Sequence, residues 1–217
     1  AYGDSKPERR LVESTYPLRL AELLVDALFR DVDGRLTLRL YQQRWYEFSY
    51  SAYEELSQDL VECRARLYLD TLDVRSAEAR KPLKVTRALV REVLSALPAV
   101  GILIEGNAPK WVRDDSQSLP AVELLPCRNR LVHLPTGRSL QPTPDLFTLG
   151  ALGYDFDPNA PTPSAWSKFL HEAFGGDEEA ILTLAEWFGY CLSYDTRQHK
   201  MLMLVGPKRS GKSTISR

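Results

Sequence analysis

The segment that most constrains this chain is its last, residues 201–217, MLMLVGPKRSGKSTISR. It reads G-x-x-x-x-G-K-[ST], with Gly206, Gly211, Lys212 and Ser213 in the fixed places. Five apolar residues, Met201 to Val205, lead straight into Gly206, which predicts a buried strand before the loop and a helix after it. The glycines let the backbone turn tightly, so that several N–H groups point at one spot and form a nest for an anion. In this pattern Lys212 reaches the β- and γ-phosphates of ATP, and the Ser213 hydroxyl is offered to Mg²⁺. The expected nucleotide contacts are Gly206, Pro207, Lys208, Arg209, Ser210, Gly211, Lys212, Ser213 and Thr214, with Ser213 as the Mg²⁺ ligand and no catalytic residue assigned. A Gly/Ser/Lys surface loop can match the pattern by chance; the apolar run and Thr214 argue against that reading.

Residues 213–217 after the lysine make about one helical turn. A nucleotide-hydrolysing domain also needs an acidic residue for Mg²⁺ on a second strand and a residue that positions water. The sequence begins at Ala1 rather than at Met. Together these lead us to expect a piece of a longer protein, cut just inside an ATPase domain and inactive in ATP hydrolysis by itself.

A length of 217 residues allows one or two domains with a real core. Cys63, Cys127 and Cys191 are scattered and odd in number, which excludes a C-x-x-C pair and argues against a disulfide framework. His133, His171 and His199 are equally scattered. No apolar run approaches the roughly 18 residues of a membrane span, and the N-terminus lacks the apolar core of a signal peptide. A net charge of −1 means that any nucleic-acid contact must come from a local patch.

In chain order, residues 1–10 read as a frayed end and 18–28 as a helix with Leu18, Ala21, Leu24, Val25 and Leu28 inward. Residues 31–34 carry turn chemistry. Runs 36–41 and 44–48 joined at Gln42-Gln43 predict a β-hairpin. Its aromatic residues suit either a core or a base-stacking surface, and packing on its own core is the simpler meaning. Residues 51–68 read as a helix capped by Ser51 with Tyr53, Leu56, Leu60, Cys63 and Leu67 on one side. Residues 69–81 read as a connector, and 82–97 as a helix with Pro82 at its first position. On that helix Lys84, Arg87 and Arg91 recur on one side after Arg80 and Lys81, a candidate strip for nucleic-acid phosphates; a solvated basic face accounts for the same pattern.

Further on, residues 106–120 are expected to form a loop and 121–125 a strand. A second hairpin is expected with arms 130–133 and 138–140 around Pro135-Thr136-Gly137, then a short strand within 146–154 and a stiff connector over 155–163. Two helices follow: 163–174 capped by Thr162, closed by Gly175-Gly176, and one from Asp177 to Tyr194 whose first turn carries Glu178 and Glu179. Its inward face is expected to be Ile181, Leu184, Ala185, Phe188, Cys191 and Leu192, with a break at Tyr194-Asp195-Thr196. The fold class is therefore α+β, mixed helices and short antiparallel hairpins. The expected division is an accessory domain over 1–160, a helical collar or linker over 161–198 and the start of an ATPase domain over 199–217.

From about Asn129 onward the chain resembles the phage and plasmid primase-helicases, whose motor belongs to helicase superfamily 3 and whose accessory domain also occurs in the poxvirus primase-helicase. The matching features are Asn129-Arg130-Leu131-Val132, Thr136-Gly137, Tyr154-Asp155-Phe156-Asp157-Pro158, Trp166 with Phe169-Leu170, Gly176-Asp177 and Gly189-Tyr190. Before Asn129 the likeness is loose. Arg130 stands where the family usually has glycine, and Ser210 where it often has asparagine. The resemblance implies a DNA replication protein: a primase domain upstream, an AAA+ motor downstream, and a ring hexamer that translocates on single-stranded DNA or a DNA fork with ATP. It also implies the cytoplasm of a bacterial host and a gene carried by a phage, plasmid or other mobile element, with no membrane partner. Two alternatives stay open: a non-enzymatic DNA-binding or assembly module, and an unrelated P-loop NTPase with an N-terminal extension.

Overall fold

The computed structural model of the protein describes residues 9–76, 79–113, 119–194 and 197–216. Most of the expected frayed end and the helix break at Asp195-Thr196 lie outside them. The elements run in the order β1 (Arg10–Val12), α1 (Pro17–Leu28), β2 (Leu38–Tyr41), β3 (Arg44–Ser49), β4 (Ala52–Leu56), α2 (Gln58–Asp70), β5 (Leu72–Ser76), β6 (Ala79–Pro82) and α3 (Arg87–Ala96). Then come β7 (Lys110–Trp111), β8 (Leu124–Pro126), β9 (Leu131–His133), β10 (Ser139–Leu140), β11 (Leu146–Phe147), α4 (Ser164–Ala173), α5 (Glu178–Cys191) and α6 (Lys212–Ile215). The fold is α+β with short sheets. The chain divides into two compact units, one of Ala1–Ser116 with Pro142–Ala151, the other of Gln117–Gln141 with Leu152–Arg217. Among the described residues no helix is long and apolar enough to cross a membrane.

The first unit is built on the hairpin. Gln42 and Gln43 both take positive φ, 47° and 64°, the geometry a two-residue turn needs to match strand twist. The register sets Leu38 opposite Glu47 and Leu40 opposite Trp45. β4 then adds a third strand, pairing Phe48 with Tyr53 and Trp45 with Leu56. The period of two splits the sheet cleanly. Leu38, Leu40, Trp45 and Leu56 join the helices α1, α2 and α3 in the main core. Tyr41, Tyr46, Phe48 and Tyr53 face the other way, onto Phe147 and Ile104. The hairpin aromatics are thus core residues: the Phe147 ring lies 5.1 Å from that of Tyr41 and 5.0 Å from that of Tyr53. α1 buries Leu20, Ala21, Leu24 and Val25, each leucine contributing on the order of 1.5–3 kcal/mol, while Leu28 is exposed.

Several elements differ from the expected ones. Ser51 caps no helix; Tyr53 and Leu56 belong to β4, because the hairpin edge offers a pairing that outweighs their local helical spacing. α2 starts at Gln58 with Ser57 as its cap, accepting from the Leu60 amide, and its inward residues are Val61, Ala65 and Leu69. Leu60, Cys63 and Leu67, expected inside, are exposed. The supposed connector 69–81 holds β5 and β6, with β5 pairing parallel to β1 and antiparallel to β6, so Arg10 is part of a strand. α3 starts at Arg87, capped by Thr86, not at Pro82. Residues 121–123 form a 3-10 turn ahead of β8. The extended run expected over 146–154 is only β11, and the loop 106–120 includes β7, its partner.

In the second unit, β8, β9 and β10 form an antiparallel sheet, the second expected hairpin closing at Gly137, φ 69°. His133 is buried at its end, with Nε2 2.8 Å from Glu123 Oε2 and Nδ1 2.7 Å from Thr136 Oγ1. α4 has no side-chain cap; Pro163 occupies that place, and Thr162 lies before it. Gly175 and Gly176, φ 61° and 81°, end the helix, and the Gly176 amide donates to the His171 carbonyl. Asp177 caps α5 by accepting from the Ala180 amide at 3.0 Å. On α5 only Leu184 is buried; Ala185, Phe188, Cys191 and Leu192 are exposed, contrary to the expected inward face.

Candidate functional site

Residues 201–216 pass from an extended run through a loop into α6. The expected strand over 201–205 does not form: among the described residues nothing pairs with it, and a strand exists only through its ladder. The run still alternates. Leu202 and Leu204 pack on Leu170, Leu184 and Ile215, while Met201, Met203 and Val205 are 77–88% exposed.

The loop itself is folded around Lys212. Its ammonium donates to the Gly206 carbonyl at 2.8 Å, the Pro207 carbonyl at 2.7 Å and Ser210 Oγ at 3.1 Å. All three donors of the cation are satisfied by its own loop. Two glycines make this close folding possible. A Cβ on Gly206 would come within 3.0 Å of Ser210 Oγ. Gly211, φ 86°, has the ring of Phe169 against it, where a Cβ would meet Cζ at 2.8 Å. Arg209, φ 64°, is a non-glycine residue in the left-handed region. Beside the loop is an open hollow of about 600 Å³, lined by Phe169, Glu172 and Ala173 of α4 and by residues 209–214. Glu172 lies 3.9 Å from Lys168.

The residues from α4 were not legible as part of this site. Phe169 and Ala173 recur at helical spacing, which marks a packed face and not a partner; the contact with Gly211 joins segments far apart in sequence. Of the expected nucleotide contacts Gly206 to Thr214, residues 209–214 line the hollow, and Gly206 and Pro207 turn their carbonyls to Lys212.

The five basic residues of the candidate strip do not form one helical face. Arg80 and Lys81 lie on β6, where successive side chains point to opposite faces. Arg80 donates to Asp73 Oδ2 at 2.6 Å. Lys84 is in the connector before α3, and only Arg87 and Arg91 share the helix, one turn apart. They line a groove of about 430 Å³ with Trp45, Gln58, Glu62, Leu94 and Ser95.

The motifs singled out from Asn129 onward also meet in space. Asn129 Oδ1 accepts from the Phe156 amide at 2.8 Å and its Nδ2 donates to the Phe156 carbonyl at 3.0 Å. The Arg128 amide donates to the Tyr154 carbonyl at 3.0 Å.

Comparison with curated proteins gives no match. A family model described as D5 N terminal like matches residues 21–175. The match takes in both units, including the part before Asn129 where the sequence likeness is loose, and stops before α5 and the loop around Lys212. With well over half its length matched, the chain belongs to the D5 N terminal like family, which occurs in primase-helicase proteins.

Proposed function

We propose that this chain is the DNA-docking and nucleotide-gripping part of an ATP-driven replicative helicase of the phage or plasmid primase-helicase kind. In this reading residues 1–160 are the accessory domain, 161–198 the collar, and 199–217 the start of a superfamily 3 AAA+ motor that works as a ring hexamer on single-stranded DNA. The family gives the reading its class, a replication module related to primase-helicases. The observation that carries the nucleotide site is the loop folded on Lys212, with the Gly211 turn and the serine and threonine hydroxyls on one hollow.

The residues present fit a Mg²⁺-bound triphosphate. Lys212 would exchange its loop oxygens for phosphate oxygens, Ser213 would offer its hydroxyl to the metal, and Arg209 in the lining would add positive charge. ATP would supply the bond whose cleavage drives movement. Of the residues lining the hollow, Glu172 is the carboxylate, and it is drawn to Lys168. Among the described residues the lining offers no second acidic residue to hold the metal and none to position water, and in this reading the chain alone binds nucleotide without turning it over. The family match counts against an unrelated P-loop kinase or GTPase.

Equilibrium binding of Mg·ATP to the full chain tests the reading. The wild type should bind, Lys212→Ala should lose binding with the fold retained, and Ser213→Ala should lose the dependence on Mg²⁺. Equal binding by wild type and Lys212→Ala, or none by the wild type, rejects the site. Steady hydrolysis that vanishes in Lys212→Ala rejects the claim of inactivity.

A further inference from the structure

Most arginines of the first unit are held by carboxylates. Arg35, Arg44, Arg64, Arg66 and Arg80 each form an ion pair within 3.0 Å. Arg87 and Arg91 differ: among the described residues neither guanidinium has an ion pair, although both line the same groove. The acid that shares this groove, Glu62, is engaged by Arg66 at 3.0 Å. Two arginines one turn apart on α3 therefore line a groove about 430 Å³ in volume, with α2 as its other wall and Trp45 in its lining, and among the described residues no carboxylate pairs with either. Lys81 and Lys84, both exposed, precede them along the chain. On a protein of net charge −1, Arg87 and Arg91 are two cations in one groove that no ion pair offsets among the described residues.

We propose that the groove between α2 and α3 grips the phosphates of a single-stranded polynucleotide through Arg87 and Arg91. The inference rests on the reading of the chain as a DNA-docking module, and it names the docking surface. Guanidinium forks match phosphate oxygens two at a time. Arg80 is excluded from the grip because Asp73 already holds it.

The test uses the full chain and a fluorescein-labelled oligothymidylate, with anisotropy read over a range of salt. Arg87→Ala/Arg91→Ala should weaken binding at least about tenfold and lower the salt slope by about 1.4, two single-strand phosphate contacts at ~0.7 each. Arg87→Lys/Arg91→Lys keeps the charge and should keep the slope while losing part of the affinity. Oligonucleotide should change tryptophan emission in the wild type and not in Trp45→Phe. Lys212→Ala should bind the oligonucleotide like the wild type, which separates this groove from the nucleotide loop. A folded double-alanine variant with unchanged affinity and slope overturns the groove and leaves the module reading standing. No oligonucleotide binding by the wild type overturns both. Displacement of the oligonucleotide by polyglutamate at equal charge concentration overturns the choice of a polynucleotide.

Discussion

Asn129 holds the backbone of Phe156 at both its amide and its carbonyl, through one side-chain amide. An asparagine is the natural residue here, because its side chain copies a peptide group and so can extend a ladder without a strand. The contact fixes the proline-flanked stretch after β11 onto the β8–β9 turn. Two motifs that stand apart in the sequence are thereby one structural device.

Asn129→Ala removes both bonds at an exposed site where water can replace them, so the expected loss is about 1 kcal/mol. It should lower the denaturant midpoint with little change in the m-value. Asn129→Asp should lose as much, since it keeps the acceptor but sets a carboxylate against the Phe156 carbonyl. An unchanged midpoint in both variants means that the stretch is held by other contacts.

Tyr53→Phe is expected to cost more. The phenol donates to the Pro144 carbonyl at 2.6 Å and accepts from Arg39 Nε at 3.3 Å, deep in the unit. Arg39 is itself buried, with the carbonyls of Gly101 and Leu36 as its other partners. Burial pushes the Tyr53 phenol above its ordinary pKa, opposed by Arg39. Removing the hydroxyl leaves two buried groups short of a partner, a loss of roughly 1–3 kcal/mol. Calorimetry of Tyr53→Phe beside the wild type measures it, and an unshifted midpoint shows that water takes the place of the hydroxyl.

Asp31 makes a pH-dependent contribution. Its burial alone raises the pKa, but the Arg35 amide and guanidinium and the Asp33 amide hold the carboxyl below its ordinary value. A depressed folded pKa stabilises the native state above the unfolded value, and that stability is lost as pH falls through the folded one. Stability should therefore decline as pH drops below about 4. In Asp31→Asn part of that decline should be missing, with a lower plateau at neutral pH. Parallel curves for the two proteins from neutral pH into acid would remove Asp31 from the account.

The same turn shows what a sequence makes legible. Asp31 to Gly34, Gln42-Gln43, Gly175-Gly176 and the Asp177 cap are decided by side chains within a few residues, and the structure has each as expected. Ser51 and Ser57 could both cap a helix by local chemistry; the choice fell to β4 pairing with β3, a contact between strands. β6 was unreadable because its exposed Arg80 and Lys81 look like a connector, and its sheet depends on β1 at the other end of the unit. The loop over 206–212 is marked in the sequence by its glycines and lysine, and its close folding on Lys212 follows from them. Its α4 wall is not so marked, since Phe169 meets Gly211 only after the chain has folded.

Gly211 carries two demands at once, a left-handed backbone and no side chain against a ring. A non-glycine residue there costs about 1–2 kcal/mol in conformation, and overlap with the Phe169 ring adds roughly 1–3 kcal/mol. The ring cannot easily yield, because Trp166 lies 5.4 Å from it on the same helix. Gly211→Ala should therefore open the loop and weaken Mg·ATP binding at least about tenfold. Phe169→Ala in that background relieves the overlap but not the backbone cost, so affinity should recover in part. Isothermal titration of the single and double variants separates the two contributions. Full recovery would assign the whole effect to the ring, no recovery would assign it to the backbone, and wild-type binding by Gly211→Ala would show that neither demand bears on the proposed nucleotide site.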